Sequence, residues 1–299
     1  MAVTREELLE FAANLRASNP VKSEITEEFR RNLDKCSRQD ILVDTSYGPV
    51  PCSIFTAKRR SAHCPLFINV HGGGFVRPHL ERDSIMAAMI ADAIGGMTLD
   101  IDYHLAPEYP YPAAVNEVYE IACYAFSRLQ EWDVDEKRVS MGGYSAGATI
   151  SAAAAIRANE TGAFRLCLLA LCYGCFEMFV DPADKPGAAD NLISSDRGRA
   201  FNLCYCGGNE ELLKEPLCSP AAASDEQLKG LPETLVISAG KDNFRFEDTR
   251  FADRLALLGV KVTMQCFTES NHGFMTHCSA QWREAQKLLI DCIRQASLV

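Results

Sequence analysis

Three short stretches carry residue types that could do nucleophilic chemistry together. The first is Gly143-Tyr144-Ser145-Ala146-Gly147, between a strand-like stretch (138–144) and a small-residue stretch that reads as a helix (146–159). A serine on a sharp strand-to-helix turn is held in strained backbone angles that expose its hydroxyl. The helix N-terminus behind it favours negative charge, and the Ala146 N–H would lie beside a carbonyl under attack. An ordinary glycine-rich turn is the alternative; the strand–turn–helix context favours a nucleophile.

The second stretch, His71-Gly72-Gly73-Gly74-Phe75, directly follows an apolar run (65–71). Acyl transfer builds negative charge on a carbonyl oxygen, and each pre-aimed N–H donor is worth roughly 3 kcal/mol to that transition state. Consecutive glycines let main chain approach a substrate with no Cβ in the way. A flexible turn is the plain rival. A phosphate loop fits less well, because no Lys-Ser/Thr pair follows.

The third is His272-Gly273-Phe274. A serine hydroxyl attacks poorly until a base takes its proton, and histidine suits that task near neutral pH. Of the six histidines, only His272 and His277 follow the last strand-like stretch, and His272 has the flanking glycine. The orienting acid should fall between serine and histidine at a strand end, where Leu235 to Asp242 supplies Asp242. Glu247 and Asp248 are nearby, but on the next helix, so Asp242 is favoured.

The surrounding elements must place these three stretches at one edge. Strand-like runs at 65–71, 97–103, 138–144, 165–173, 234–240 and 260–267 alternate with helical runs at 82–94, 115–129, 146–159, 245–258 and 280–296. Such alternation predicts an α/β fold with a mostly parallel central sheet covered by helices on both faces, and a site at the C-terminal strand ends. Two helices are expected first: Leu8, Leu9, Phe11, Ala12 and Leu15 recur at helical spacing behind a Thr4–Glu7 capping box, and Ile25, Phe29 and Leu33 repeat the pattern after Pro20. Stretches 40–47 and 50–57 read as a hairpin turning at Gly48-Pro49. Lys58, Arg59 and Arg60 read as a solvated hairpin turn. The stretch 176–231 has weak periodicity and is too long for a plain loop, so it reads as a lid. The expected organisation is N-terminal cap helices (1–38), a first core part (39–175), a cap or lid insertion (176–231) and a second core part (232–299).

Composition bounds the rest. The 299 residues carry a net charge of −10, which argues against nucleic acid as a partner, since phosphate binding needs a basic stripe. The start of the chain lacks the charged and apolar regions of a signal peptide, and no apolar run is long enough to cross a bilayer, so a cytoplasmic protein without membrane attachment is expected. Thirteen cysteines at irregular spacings fit reduced thiols. Cys172 with Cys175 and Cys204 with Cys206 could in principle hold zinc, but Cys172 ends an apolar run, and no metal or cofactor is expected.

Taken together the motifs resemble the hormone-sensitive-lipase-like family of esterases. His71 to Phe75, Asp102-Tyr-His-Leu-Ala-Pro-Glu108, Gly143 to Gly147, Ser219-Pro220 leading to Leu231-Pro232, Ala239 to Asp242 and His272 to Phe274 stand in that family's order. The resemblance covers the chain from about Pro65 onward. It implies an α/β-hydrolase core with a helical cap, an oxyanion hole from the N–H groups of Gly73, Gly74 and Ala146, and hydrolysis of small-molecule, short-chain acyl esters by Ser145, Asp242 and His272. Family members are often dimers, so a homodimer is open. Two positions depart from the family's pattern: Tyr144 stands where Asp or Thr is usual, and His104 where arginine is usual. The segment 102–114 reads as structural, a Pro-rich support beneath the serine. Phe176, Met178, Phe179 and Phe201 are candidates either for the pocket wall or for cap core. Other readings on the same fold are a non-catalytic small-ligand-binding homologue, and a lactonase or peptidase.

Overall fold

The computed structural model describes residues 3–18, 25–187 and 192–298. Pro20, the expected break between the N-terminal helices, lies outside these, as do 188–191 of the expected lid.

The chain opens with α1 (Arg5–Ala17), whose Thr4 and Glu7 form the reciprocal cap read from the sequence. The second expected helix is a single turn, α2 (Glu27–Arg30), followed by a 3₁₀ turn at Leu33–Lys35. It stops there because Cys36 already begins β1 (Cys36–Thr45), four residues before the expected strand start. Next come β2 (Gly48–Ala57), β3 (Cys64–Val70), α3 (Glu81–Ile94), β4 (Met97–Ile101), α4 (Ala113–Arg128) and β5 (Val134–Tyr144). They are followed by α5 (Ala146–Thr161), β6 (Leu168–Cys172), α6 (Ser195–Tyr205), α7 (Asp225–Leu228), β7 (Thr234–Ala239), α8 (Arg245–Leu257), β8 (Val262–Phe267) and α9 (Trp282–Ala296).

The eight strands form one sheet in the order β1-β2-β4-β3-β5-β6-β7-β8. β1 pairs antiparallel with β2 and β2 antiparallel with β4; every other pairing is parallel. Every residue of β3, β4, β6 and β7 is buried, so these strands read as mainly apolar runs, interrupted by Asn69, Thr98, Asp100, Thr234 and Ser238, rather than as strictly alternating ones. The buried residues of α4, α5 and α8 join the core on one face, and those of α3 and α9 the core on the other. α9 buries Trp282, Ala285, Gln286, Leu289, Ile290 and Ile293, the spacing of one helix face.

Two expected turns are corrected. The hairpin turns at Ser46-Tyr47, not at Gly48-Pro49: Thr45 pairs with Gly48 and Asp44 with Pro49. The Thr45 hydroxyl donates to the Gly48 carbonyl at 2.6 Å and closes the turn, while Pro49 precedes the Cys52–Thr56 stretch that pairs with β4, where a missing N–H would matter. Lys58 to Arg60 is no hairpin turn either, because β2 is followed in space by β4 rather than β3. Arg60 is drawn in, donating to the Trp132 carbonyl at 2.9 Å.

Candidate active site

Ser145 closes β5 and opens α5 with φ 55° and ψ −121°, a region that side-chain-bearing residues rarely adopt. Its neighbours show why the turn is so tight. A Cβ on Gly147 would stand 2.1 Å from the Val70 carbonyl oxygen, and one on Gly143 2.5 Å from the same atom. Strand β3 and the start of α5 therefore touch backbone to backbone. The Ser145 N–H donates to the Cys172 carbonyl at 2.9 Å, which fixes the elbow to β6.

His272 reaches this hydroxyl from the loop after β8. Its Nε2 lies 2.8 Å from Ser145 Oγ and its Nδ1 2.5 Å from Asp242 Oδ2. A carboxylate can only accept, so Nδ1 carries the proton and Nε2 is left to take one from serine. The ring is also held edge-on by Tyr173 and Phe244, at centroid distances of 5.2 and 5.3 Å. Asp242 is fully buried in the turn after β7, and a bond from the Lys241 N–H to the Ser270 carbonyl (2.9 Å) joins its loop to that of His272.

The rival groups point elsewhere. Glu247 pairs with Lys185 at 2.8 Å and accepts from the Glu177 N–H at 2.6 Å. Asp248 is buried beside it, and burial, then the charges of Glu247 and Asp242, push its pKa well above the usual carboxylate range. His277 faces Arg82, whose Nη1 lies 3.3 Å from its Nδ1; burial and the neighbouring cations push its pKa down to about 3.

The glycine loop borders the same space. Gly73 and Gly74 have positive φ of 127° and 62°, and the Gly73 carbonyl accepts from the N–H groups of Val76 and Arg77 at 3.3 and 3.0 Å. The Ala146 N–H belongs to the first turn of α5, where a helix leaves its donors without internal partners. Gly73, Gly74, Ser145, Ala146 and His272 together line one cavity of about 120 Å³.

A layer of aromatic rings and ion pairs supports the loop. His71 stacks on Tyr103 at 4.3 Å and, through Nδ1, donates to the Gly72 carbonyl at 2.6 Å. Burial, then the neighbouring His79, lowers the His71 pKa to about 4, so this ring is neutral near pH 7. For His79 burial works the other way from Asp100, 2.7 Å off; the attraction prevails and the pKa rises to about 9. Within the segment 102–114, Glu108 takes both ends of the Arg16 guanidinium at 2.7 Å, and Arg16 Nε donates to the Val76 carbonyl at 2.9 Å. α1 is thereby tied to the glycine loop. The first departure from the family pattern, Tyr144, is buried on the cavity wall, and its hydroxyl has no hydrogen-bond partner among the described residues.

Of the aromatic and sulfur side chains considered for the pocket wall, only Phe201 lines the cavity. Phe176 is buried in a stack with Phe251 at 4.6 Å, Met178 is buried, and Phe179 is exposed. The sequence reading missed the cavity's charged residues: Arg77, Arg82, Asp83 and Arg197. Arg77 stands three positions past Gly74 and could have been suspected. Arg197 comes from α6, inside the insertion, and carries no short-range signal.

All thirteen cysteines are unpaired, and the described residues contain no group of three or more His, Cys, Asp or Glu placed to hold a metal ion. No helix among the described residues is long and apolar enough to cross a membrane.

Comparison with known proteins gives a consistent picture. A family model described as alpha/beta hydrolase fold matches residues 67–276. Esterase LipI of Mycobacterium tuberculosis is 28 % identical over 244 residues, covering 79 % of this chain and 74 % of that one. An arylesterase of Saccharolobus solfataricus is 26 % identical, covering 79 % and 76 %. Among solved structures, an esterase from Pyrobaculum calidifontis superimposes with a TM-score of 0.81 at 23 % identity, covering 99 % of this chain and 94 % of that one, a likeness that speaks to the fold.

Proposed function

As a member of the hormone-sensitive-lipase-like family of carboxylic ester hydrolases, to which it belongs by its match over residues 67–276, this chain, we propose, cleaves short-chain acyl esters through a covalent intermediate on Ser145. The observation that carries the proposal is the hydrogen-bonded line from Asp242 through His272 to a serine held at positive φ.

In this reading Ser145 Oγ attacks the ester carbonyl while His272 Nε2 takes the hydroxyl proton. The oxygen that becomes negative rests on the N–H groups of Gly73, Gly74 and Ala146. When the tetrahedral adduct collapses, His272 returns the proton to the departing alcohol. A water then loses its proton to His272 and attacks the acyl carbon, releasing the acid and restoring Ser145. Asp242 holds the imidazole in the right tautomer through Nδ1 and stabilises its charged form. A cavity of about 120 Å³ supports small acyl groups over long chains. α1 and α6 of the insertion would form the cap, a view supported by the Cys204 thiol of α6 meeting the Leu8 carbonyl of α1 at 3.5 Å. Thirteen unpaired thiols support a cytoplasmic setting.

The test is hydrolysis of 4-nitrophenyl acetate, butyrate and octanoate by wild type and by Ser145→Ala. Turnover of the short esters that drops to background in the variant supports the proposal. Fastest turnover of octanoate overturns the acyl preference, and inactivity on all three overturns the esterase mechanism in favour of a ligand-binding role.

A further inference from the structure

The cavity beside Ser145 is lined by three arginines, Arg77, Arg82 and Arg197, and by one carboxylate, Asp83. This is unusual on a chain whose net charge is −10. Several arginines elsewhere lie against carboxylates, among them Arg16 with Glu108, Arg199 with Asp181 and Arg254 with Asp225, each at 2.7 Å, while Arg138, Arg157, Arg245 and Arg294 donate to carbonyl or amide oxygens. Among the described residues, Arg82 and Arg197 form no such pair. Arg197 donates to the Ser18 hydroxyl and carbonyl at 2.9 and 3.0 Å, and Arg82 meets the neutral His277. Asp83 already accepts from the Leu80 N–H at 2.9 Å, and burial pushes its pKa up to about 6.

The arginines are also drawn towards one another. Arg77 and Arg197 donate to the same Ser18 carbonyl oxygen, at the C-terminal end of α1. Like charges brought together at a partly buried site repel, and burial together with Arg197 and Arg82 lowers the Arg77 pKa to about 10. Arg197 lies over the Phe201 ring at 5.5 Å, which orients its plane, and the Arg82 Nε is buried without a hydrogen-bond partner among the described residues. Arg77 also donates through Nε to the Leu15 carbonyl at 2.9 Å, so it contributes its charge, while the guanidinium donors of Arg82 and Arg197 not spent on His277 or Ser18 can serve a bound anion. The first turn of α3, which carries Arg82, adds the favourable end of a helix dipole.

We propose that the substrate is an anionic ester, carrying a carboxylate on its acyl or alcohol part that rests between Arg82 and Arg197, within the positive field that Arg77 adds, while its ester carbonyl sits at Ser145. The proposal deepens the esterase reading of this site and rests on it. The arginines then set specificity by supplying charge-assisted, forked hydrogen bonds that a neutral ester cannot use.

Two matched pairs of substrates test it. The acyl-side pair is mono-4-nitrophenyl adipate against 4-nitrophenyl hexanoate, and the alcohol-side pair is 4-acetoxybenzoate against its methyl ester. In at least one pair the wild-type enzyme should favour the anion in kcat/KM by about tenfold or more, the worth of one charge-assisted hydrogen bond. Which pair shows the preference tells which part of the substrate bears the charge. Arg82→Gln and Arg197→Gln should each cut the anion-to-neutral ratio about tenfold, mainly through KM, with partial recovery in Arg82→Lys. On wild type alone, raising the salt to about 0.5 M should shrink the ratio, which covers the case of variants that do not fold. Hydrolysis of the neutral esters with no anion preference in either pair, or a ratio indifferent to salt, overturns the proposal and leaves the esterase reading intact. If no member of either pair is hydrolysed, the esterase reading fails and this proposal fails with it.

Discussion

Glu117, fully buried on α4, accepts twice from His104: from its main-chain N–H at 2.9 Å and from its ring Nδ1 at 2.5 Å. This is where the chain departs from the arginine usual in its family, and the imidazole fills the role of partner to a buried acid. Burial raises the Glu117 pKa and the bonds from His104 oppose the rise. Removing the ring leaves a buried carboxylate with one partner fewer. His104→Ala is expected to cost about 3 kcal/mol of stability, whereas Glu117→Gln, which removes the charge but not the acceptor, should cost less. Urea denaturation of the two variants compares them directly; equal losses would show that the charge is immaterial.

A second expectation concerns pH. The His79 pKa rises from its usual value to about 9 in the fold. The folded state therefore holds this proton more tightly than the unfolded chain, and the resulting stabilisation is complete below about pH 6.5 and lost as pH climbs through 9. Its size is about 3 kcal/mol at most, from the shift alone. Melting temperatures between pH 6 and pH 10 should fall in wild type and fall less in His79→Gln. Parallel curves would mean that the pair with Asp100 makes no such contribution.

Asp242→Asn should leave the fold unchanged and the ring of His272 in place, yet favour the tautomer with its proton on Nε2, which then cannot accept one from Ser145. A loss of about 10⁴-fold in kcat is expected on that ground. Steady-state kinetics on 4-nitrophenyl acetate measure it. A variant within tenfold of wild type would move the orienting role to another acid.

The glycines of the elbow differ sharply from the open Gly162. An added Cβ at Gly147 meets the Val70 and His71 carbonyl oxygens at 2.1 and 2.5 Å, while one at Gly162 meets nothing within 4 Å. Gly147→Ala should cost about 3 kcal/mol or prevent folding, since backbone must move. Gly162→Ala, at φ 67° in the C-cap of α5, should cost only about 1 kcal/mol for its left-handed conformation. Thermal denaturation separates the two, and similar losses would mean that the elbow relaxes more easily than its contacts imply.

Much of this architecture can be read along the chain, and the reason is local. Ser145, Asp242 and His272 each follow a strand or sit in the loop after one, so the strand pattern marks their positions before any distance is known. β3 and β7 declare themselves by being mostly apolar on both faces, as strands covered on both sides tend to be. The Gly48-Pro49 dipeptide misleads because its residues suit a turn, while the turn is set by the Thr45 side chain closing on the Gly48 carbonyl. The second N-terminal helix misleads because Ile25, Phe29 and Leu33 have the right spacing but too few residues before β1. The arginines of the cavity are invisible for a different reason. Arg77, Arg82 and Arg197 are ordinary surface residues in sequence, and only the path of α6 across the strand ends brings them together.

The hold of Ser18 on Arg77 and Arg197, and of Arg16 on Glu108, divides the molecule's labour. The reacting groups hang from the sheet, whereas the residues that would choose among substrates are braced by the first eighteen residues and the insertion. Such a division makes the protein modular under selection: exchange of these peripheral segments between relatives could redirect what the enzyme accepts while the inherited chemistry stays untouched.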